Sequence, residues 1–433
     1  MRIAIGGVRG FGSGQPIALT SWQVAQKAVA SLHVGDKTLP GPGRKPADPP
    51  IFQFSDVPMP SADRLLIQIV SQLKPERCGV SDHAILLARE LESAFGIRTA
   101  FVVLNSTEPC ELPFPRVDCA PSQLLEACSS LSNGQQSAIL VHYSGYGYSA
   151  DGAPLLLAEA IERVRANGQF RIGVYFHELF ATGMPWTSAF WYTLRQRQVV
   201  RRLAKACDLI ATNSSRHLDW LERQAIQGGI PPVRLLPMFS NVGESLETPP
   251  MRDRRPAMVV FGLPATRRRA YDRLSSLGGL LRRLGIEEIV DVGPEFDSPS
   301  ELRGIPVRRM GVLAAADLAG ILSRSIFGFV QHESFALAKS GVFAGICAFG
   351  AIPVIPESFS GEADGLRDGV HLISPQTAKT AMSGGLEQCS AAAWHWYSGH
   401  RLHLHAATYS RLLVQPATEA ETAMPAVAKA KGA

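Results

Sequence analysis

The sequence lacks the features that would mark a secreted protein, a protein with a structural zinc site or a membrane-spanning protein. Its seven cysteines are odd in number and never occur as a C-x-x-C pair, which argues against a disulfide framework and a structural zinc site. No stretch approaches the ~20 apolar residues that a membrane-spanning helix needs. The start, Met1-Arg-Ile-Ala-Ile5, has too short an apolar run for a signal peptide. A protein of the reducing cytoplasm is therefore expected.

Motifs for metals, nucleotides and nucleic acids are incomplete or missing. Gly10-Phe-Gly-Ser-Gly14 lacks the Gly-Lys-Ser/Thr ending of a P-loop, so a flexible loop is the better interpretation. No Asp-x-Asp pair suits a divalent metal, and a packed helix explains the C-terminal histidines better than zinc, because they lack the i, i+4 spacing of zinc helices: His395, His400, His403 and His405. The net charge of +5 is mild and no nucleic-acid motif accompanies it. We therefore expect no metal, no cofactor and no nucleic-acid partner.

The composition is that of a globular protein with two or three domains. The chain has 433 residues, of which 46% are hydrophobic and 19% charged. Residues 1–62 form a predicted N-terminal extension, partly disordered, because prolines crowd its second half. Residues 416–433 form a predicted disordered tail, since they are rich in alanine and contain few residues able to build a core.

Between these ends, predicted strands and helices alternate in two series. The first occupies residues 63–245 and the second residues 256–415, with a linker from Asn241 to Pro256 that is rich in proline, glycine and charge. Sustained alternation of this kind predicts parallel sheets covered by helices on both faces. The expected fold class is α/β, with two Rossmann-like domains.

A strand–loop–helix–strand unit between residues 325 and 355 is the most informative segment. Glu333 follows the predicted strand Ser325–Val330, and Lys339 and Ser340 are predicted in the first turn of the next helix. Ligands bind outside the carboxyl ends of such strands, and a helix N-terminus there favours an anion, so a diphosphate site is predicted. The alternative is that Glu333 is a plain strand-end residue paired with Lys339.

This segment resembles the donor-binding motif of GT-B fold glycosyltransferases of the retaining family-4 type. The matching positions are Glu333, Phe335, Gly350, Pro353 and Val354. The family has a second Glu eight residues after the first, where this chain has Gly341. The resemblance extends from Leu65 to Leu413 and implies two Rossmann-like domains facing a cleft, an N-terminal domain for the acceptor and a C-terminal domain for the donor.

The resemblance also implies which basic residues hold the donor diphosphate. Gly262 ends a predicted strand and fits the family's glycine, and Arg268 falls on the position of its Lys, while Leu263 replaces its Arg. Arg267 lies beside Arg268, and a guanidinium can bind two phosphate oxygens. The alternative for Arg267 and Arg269 is a solvated basic start of a helix.

Two histidines end predicted strands of the N-terminal domain, His142 and His177. The resemblance implies a catalytic His at such a strand end, near the reacting sugar, although a lone His there is more often structural. Tyr146 follows His142 in a loop rich in tyrosine and glycine that is suited to stacking on a sugar. Gly79 lies in a second loop that we assign to the acceptor side.

A predicted helix near residues 187–206 combines aromatic and basic side chains. Charges and aromatics of this kind favour a peripheral contact with an anionic membrane surface, although a solvated face of a core helix is the commoner explanation. The residues are Trp186, Phe190, Trp191, Arg195, Arg197, Arg201, Arg202 and Lys205. A location in the cytoplasm, at the inner face of the membrane, follows from the first interpretation.

The function expected from these features is sugar transfer from a nucleoside-diphosphate-sugar to a glycan or lipid-linked acceptor, as in polysaccharide biosynthesis, without metal. Retention of anomeric configuration is implied by the resemblance alone. The main alternative is a catalytically inactive GT-B-like protein that binds nucleotide or glycan, because Gly341 replaces the second Glu. A sugar-nucleotide epimerase is a third interpretation.

Overall fold

The computed structural model describes residues 64–75, 78–105, 112–182, 184, 186–226 and 228–414. The predicted extension, its Gly10-Phe-Gly-Ser-Gly14 loop and the predicted tail at 416–433 lie outside the described residues. The predictions made for them stay untested.

The first half of the described chain forms a seven-stranded sheet in the order β3-β2-β1-β4-β5-β6-β7, and all of its strand pairs are parallel. Its strands are β1 Leu65–Val70, β2 Arg98–Val103, β3 Arg116–Asp118, β4 Ser137–Tyr143, β5 Arg171–Phe176, β6 Leu209–Thr212 and β7 Val233–Leu235. β1 and β4 are buried along their whole length because helices cover both faces. The strand order reverses between β1 and β4, where such sheets bind ligands.

The helices of this half include long ones that cover the sheet and a single turn near its carboxyl edge. They are α1 Gly79–Phe95, α2 Leu124–Ser132, α3 Gly145–Tyr148, α4 Leu155–Asn167, α5 Ser188–Ala206 and α6 Ser215–Ile226. α1 ends at Gly96, whose φ of 60° is the left-handed conformation that glycine adopts at helix ends. Leu87, Leu91 and Phe95 give α1 an apolar stripe that packs on the sheet.

The second half forms a six-stranded sheet in the order β10-β11-β9-β8-β12-β13. Its strands are β8 Arg255–Phe261, β9 Glu288–Val292, β10 Glu301–Leu302, β11 Ile305–Arg309, β12 Ser325–Phe329 and β13 Ile352–Val354. All pairs are parallel except the short hairpin of β10 and β11. Here the order reverses between β8 and β12, so the second sheet also has its switch point at central strands.

The helices of this half lie on both faces of the second sheet, except for the last, which returns to the first sheet. They are α7 Pro264–Ser276, α8 Gly278–Arg283, α9 Ala315–Arg324, α10 Gly341–Ala348, α11 Ala378–Thr380, α12 Leu386–Ser398 and α13 Leu402–Tyr409. Among the described residues, no helix combines the length and apolarity required to span a bilayer.

The C-terminal residues return to the first sheet. Tyr409 and Leu413 share a core with Leu66 and with the α1 stripe. A side chain at Gly173 of β5 would meet Leu413, whose methyl carbon would lie 2.9 Å from the added Cβ. The predicted second domain, residues 256–415, is therefore amended: residues 402–414 pack in the core of the first, because their apolar side chains fit that surface.

The linker is held by one tyrosine of α12. The Tyr397 hydroxyl donates to Glu244 Oε1 at 2.5 Å and accepts from the Ser240 backbone N–H at 2.8 Å. Glu244 Oε1 also accepts from the Leu402 backbone N–H at 2.8 Å. These bonds tie the linker to the start of the crossing helix α13, so the two halves are joined at two places along the chain.

Candidate active-site cleft

A cavity of about 280 Å³ lies at the carboxyl ends of β4, β5 and β6 and is closed on one side by the second half of the chain. Residues after these strands form most of its wall: Gly145, Tyr146, Glu178, Leu179, Phe180, Ala181, Thr182, Ser214, Arg216 and His217. Phe335 and Lys339 close it from the other side. Ligands of open α/β sheets bind at this edge, so the cavity is the candidate active site.

Positive charge dominates the wall of this cleft. Arg197, Arg216, Arg223 and Lys339 line it, against the single carboxylate of Glu178 among the lining residues. The Arg197 guanidinium lies 4.6 Å from the centre of the Phe180 ring, and aromatic rings hold such groups by cation–π attraction. Phosphate oxygens are the ligands that such a basic wall favours.

Glu178 is the candidate acid–base group of the cleft. It follows His177 at the end of β5, and its Oε2 lies 3.4 Å from the Ser144 hydroxyl. Burial raises the pKa of its carboxyl group, and the nearby Lys339 ammonium and the Ser144 bond offset part of this rise. A carboxyl with a raised pKa, placed in a cleft, is a candidate for proton exchange with a ligand.

His217 adds a neutral imidazole to the same wall. Its Nδ1 lies 3.2 Å from Thr212 Oγ1, which donates its own proton to the Phe176 carbonyl at 3.2 Å. His217 Nδ1 therefore carries the proton, and Nε2 is left as an acceptor. Burial, followed by the charges of Lys339 and Arg216, lowers the pKa of His217 to about 3. The ring is neutral at physiological pH and can accept a hydrogen bond from a ligand hydroxyl.

Only part of the predicted donor motif reaches this cleft. Lys339 lines it, whereas Glu333 is exposed and is not among its lining residues. Burial and the neighbouring Glu357 raise the pKa of Glu333, and Arg273 lowers it. Glu333 precedes the short 3-10 helix Ser334–Ala336. Its catalytic role stays a prediction, which its placement outside the cavity does not support.

Ser340 caps the helix it was expected to join. α10 begins at Gly341, so Lys339 and Ser340 precede the first turn instead of lying within it. The Ser340 side-chain oxygen accepts from the Phe343 backbone N–H at 3.2 Å. This bond occupies one of the N–H groups that the sequence analysis assigns to a diphosphate, and the role of Ser340 in donor binding stays a prediction.

The two arginines predicted beside Gly262 have different surroundings. Arg267 is 2% exposed, forms an ion pair with Asp291, and donates to the carbonyls of Gly262 and Pro294. Its guanidinium therefore holds the loop after β8 in place. Arg268 is exposed, 5.8 Å from the centre of the Phe296 ring. Neither arginine is among the residues that line the cavity, and a donor contact by Arg267 would also compete with its internal bonds. Both donor roles stay predictions.

His142 and His177 lie below the cleft wall. His142 is 0% and His177 6% exposed, and His142 Nδ1 is 3.2 Å from His177 Nε2. Burial lowers the pKa of His142 to about 3. Burial, together with charge on His142 and His405, also lowers the pKa of His177. Both are neutral at physiological pH, and neither is among the residues that line the cavity. Their catalytic roles stay predictions.

The two residues assigned to the acceptor side are placed differently. Tyr146, in α3, lines the cavity, and its hydroxyl accepts from Gln196 Nε2 at 3.2 Å. Gly79 is the exposed first residue of α1, and space is open around its Cα. The predicted stacking of Tyr146 on a sugar is thus compatible with its position.

Exposed aromatic residues lie on and just before the basic helix α5, and two of its five basic side chains are bonded within the fold. Trp186 is 77% and Trp191 70% exposed. Arg202 bonds with Glu162 at 2.8 and 2.6 Å, and Arg201 with Gln224 at 2.7 Å. These guanidinium groups are engaged within the fold, which favours a solvated helix face over a lipid contact. Attachment to a membrane stays a prediction.

Comparison with known proteins identifies the fold. No family model and no curated protein matches the sequence. An alpha-glucosyltransferase in complex with UDP and a 13-mer DNA containing a HMU base is similar in structure, with a TM-score of 0.51 and 12% identity over 78% of this chain and 95% of that chain. A second such complex has a TM-score of 0.50 and 14% identity over 80% of this chain and 98% of that chain.

A third similar structure is WaaG, a glycosyltransferase involved in lipopolysaccharide biosynthesis, with a TM-score of 0.48 and 10% identity over 80% of this chain and 99% of that chain. The two alpha-glucosyltransferase complexes confirm the predicted fold class, two Rossmann-like domains facing a cleft in the GT-B arrangement. The narrower assignment to the retaining family-4 type stays a prediction.

One prediction about partners is wrong. No nucleic-acid partner was expected because the sequence contains no binding motif, yet two solved structures with this fold are complexes with DNA. A short motif is not required when a cleft between two domains forms the binding surface, since its basic side chains come from distant parts of the chain. The exclusion of nucleic acid is withdrawn.

Proposed function

We propose that this protein is a glycosyltransferase that moves a sugar from a nucleoside-diphosphate-sugar to an acceptor hydroxyl in the cleft. The observation that carries the proposal is the basic cavity at the carboxyl edge of the first sheet, closed by Lys339 from the second half. The GT-B fold supports it, because two structures with this fold are transferases that hold UDP.

The donor diphosphate is placed beside Lys339 and the N-terminus of α10. Lys339 precedes the cap residue of that helix, so its ammonium and the positive end of the helix dipole act on the same anion. Arg216 and Arg223 add charge from the opposite wall. A leaving diphosphate neutralised by these side chains needs no metal ion in the cleft.

Glu178 is placed beside the acceptor. Its raised pKa and its position at the end of β5 suit a group that exchanges a proton with the attacking hydroxyl. Tyr146 and His217 supply hydrogen-bonding groups on the same wall for sugar hydroxyls. The resemblance to family-4 enzymes implies retention of anomeric configuration, which the anomeric proton coupling of the product would test.

Two acceptor classes are compared, glycans or glycolipids and DNA. The sequence resemblance favours the first, and the DNA complexes among the structural neighbours favour the second. The purified protein is incubated with UDP-, GDP- and ADP-sugars and with each acceptor class, including DNA that carries a hydroxymethylated base. Transfer of sugar to either class identifies the acceptor.

Calorimetry with UDP, GDP and ADP, each compared with its nucleoside, tests the donor site. Lys339→Met is expected to weaken diphosphate binding by about tenfold or more, since a hydrogen bond to a charged group contributes roughly 1.5–3 kcal/mol. Lys379→Met, at an exposed position of α11, is the matched control and should bind normally. Arg268→Ala should also weaken binding of the nucleoside diphosphate more than binding of the nucleoside.

Three results separate this proposal from its alternatives. Nucleotide binding without turnover of any donor would favour the inactive binding protein, which Gly341 in place of the family's second Glu suggests. Conversion of the donor sugar without an acceptor would favour an epimerase. Equal affinity of Lys339→Met and the unmodified protein for every nucleotide would place the donor site elsewhere.

A further inference from the structure

Four histidines lie together in the core beneath the cleft, and no metal was expected at any of them. His83 comes from α1, His142 from β4, His177 from the end of β5 and His405 from α13. All four are at most 6% exposed. Atoms of His83, His142 and His177 that can bind a metal lie within 4.8 Å of one another.

His142 is held with a lone pair directed at this cluster. The Gln68 side-chain N–H donates to the Ala84 carbonyl at 3.1 Å, which turns Gln68 Oε1 toward His142 Nε2, 2.6 Å away. An amide oxygen only accepts, so His142 Nε2 carries the proton and Nδ1 is unprotonated. Metal-binding histidines have this arrangement, in which an oxygen acceptor fixes the ring through its second nitrogen.

His83 has no hydrogen-bond partner for either ring nitrogen among the described residues. Its ring is stacked between Phe239, with centroids 4.2 Å apart, and Tyr175, at 4.9 Å. Buried imidazole nitrogens without partners are costly and rare in folded proteins. The stacking fixes the plane of the His83 ring, but no hydrogen bond accounts for the placement of its two nitrogens in the core.

His405 has a similar lone pair. Its Nε2 donates to the Pro237 carbonyl at 3.0 Å, so Nδ1 is unprotonated, and Nδ1 has no partner among the described residues. Its ring centre lies 5.7 Å from that of His83. Imidazoles thus converge from four elements: His83 and His405 have nitrogens without partners, and His142 Nδ1 accepts a hydrogen bond from His177 Nε2. No carboxylate is among the groups that perturb the pKa of His83, His142 or His177.

We propose that His83, His142 and His177 bind a divalent transition-metal ion of the kind that prefers imidazole, with Zn²⁺ as the reference ion. His142 Nδ1 and His177 Nε2 share a hydrogen bond of 3.2 Å, which is also the spacing of two ligands of one ion, because tetrahedral zinc with bonds near 2.05 Å separates its nitrogens by about 3.3 Å. The ion replaces the proton between them, which moves to the other ring nitrogen of His177 or to solvent. His405 is a source of a fourth ligand. The ion joins α1 to the ends of β4 and β5, beneath Glu178.

The full-length protein is purified without a histidine tag from cells grown with added zinc, and its metal content is measured by mass spectrometry. One equivalent of zinc per chain is expected. After refolding with Co²⁺, the visible absorption bands of a four-coordinate cobalt–imidazole site should appear. Metal-free protein from both preparations would overturn the proposal.

Two variants assign the ligands. His83→Phe keeps an aromatic ring between Phe239 and Tyr175 but removes both nitrogens, so the cobalt bands and the bound zinc should be lost. Gln68→Met leaves the ligands and removes the oxygen that orients His142, so zinc affinity should fall by about 10- to 100-fold. Circular dichroism establishes that each variant is folded.

His400→Phe is the matched control. His400 is 5% exposed and its Nε2 also has no partner among the described residues, but it is outside the three-histidine cluster. It should retain one zinc ion and unchanged cobalt bands. If His83→Phe binds zinc as tightly as His400→Phe, the cluster is not the site. Because metal content is read without any substrate, this result is independent of the proposed transferase activity.

Discussion

Lys339, from the second half of the chain, places its ammonium group close enough to Glu178, in the first half, to lower the pKa of the carboxyl that burial raises. Both residues line the same cavity. The charge that is proposed to bind the donor therefore also controls the protonation of the proposed acid–base group. Removal of Lys339 should shift the pH dependence of the activity and should also weaken binding of the donor.

The first prediction concerns that coupling. Glu178→Gln should lower kcat by about a hundredfold or more, because acid–base groups contribute roughly 10²–10⁴-fold, while donor affinity changes little. In Lys339→Met, the limb of the kcat/KM profile that belongs to Glu178 should move to higher pH, since the ammonium no longer opposes the effect of burial.

Glu126→Gln is the control for Glu178, because Glu126 is an exposed carboxylate of α2. It should leave both kcat and the pH profile unchanged. A Glu178→Gln protein with normal turnover would remove Glu178 from the chemistry. An unshifted profile in Lys339→Met would show that the two groups are not coupled during catalysis.

The second prediction compares Glu178 with Glu333, the residue that the sequence resemblance favours. If Glu333 acts on the donor sugar, Glu333→Gln should reduce turnover by about a hundredfold, a loss of ~3 kcal/mol in transition-state stabilisation. Its exposed position outside the cavity predicts instead that turnover is nearly unchanged. Steady-state kinetics of both variants with the same donor decides between the two carboxylates.

The sequence was sufficient to predict the parallel sheets and the strands that precede the site. The strand at Ser325–Val330 is observed as Ser325–Phe329, and the one at Ile352–Ile355 as Ile352–Val354, because buried parallel strands have uninterrupted apolar runs. Lys339 was predicted in the first turn of the next helix and is observed just before it, where it lines the cavity. These features depend on local pattern, which a single sequence contains.

Glu178 was missed for a geometric reason. β5 ends at Phe176, so the side-chain alternation of a strand does not decide which of His177 and Glu178 faces the cleft. His177, which was predicted to be catalytic, lies in the buried cluster, whereas Glu178 lines the cavity. The electrostatic effect of Lys339 on Glu178 also couples residues far apart in the chain, and no periodicity reveals such a coupling. The His-Glu pair at the end of β5 was the only local signal.

The third prediction concerns the buried ion pair of Arg267 and Asp291, whose side chains are 2% and 3% exposed. Asp291→Ala should destabilise the protein by roughly 3–5 kcal/mol, because it leaves a buried guanidinium without its counter-charge. Arg267→Met combined with Asp291→Leu should be less destabilising than either single change. Urea denaturation measures all of these free energies of unfolding. If Asp291→Ala is as stable as the unmodified protein, Arg267 is not structural and its donor role regains support.

The fourth prediction is a loss of stability in weak acid that arises from the buried histidines. Burial lowers the pKa of His142 and His400 to about 3 and that of His405 to about 4, from the ordinary 6.5. Between these values the unfolded chain binds protons that the folded protein does not, so the free energy of unfolding falls as the pH decreases from 6.5. Carboxylates with an ordinary pKa contribute little in the window from pH 6.5 to about 5. The raised pKa values of Glu178 and Glu333 oppose part of the histidine effect there, because these groups bind protons in the folded protein before they do in the unfolded chain.

Urea midpoints measured across that window, with a chelator present to exclude metal, should decrease steadily toward acid. His400→Phe removes one of the titrating groups. The slope of the free energy of unfolding against pH should therefore decrease by up to about 1.4 kcal/mol per pH unit, which is the contribution of one proton. Stability that is flat from pH 6.5 to 5 would mean that the buried histidines are protonated or solvated in the folded protein. Neutral imidazoles are what a metal requires, so the same flat profile would also count against the cluster of His83, His142 and His177 as a ligand set.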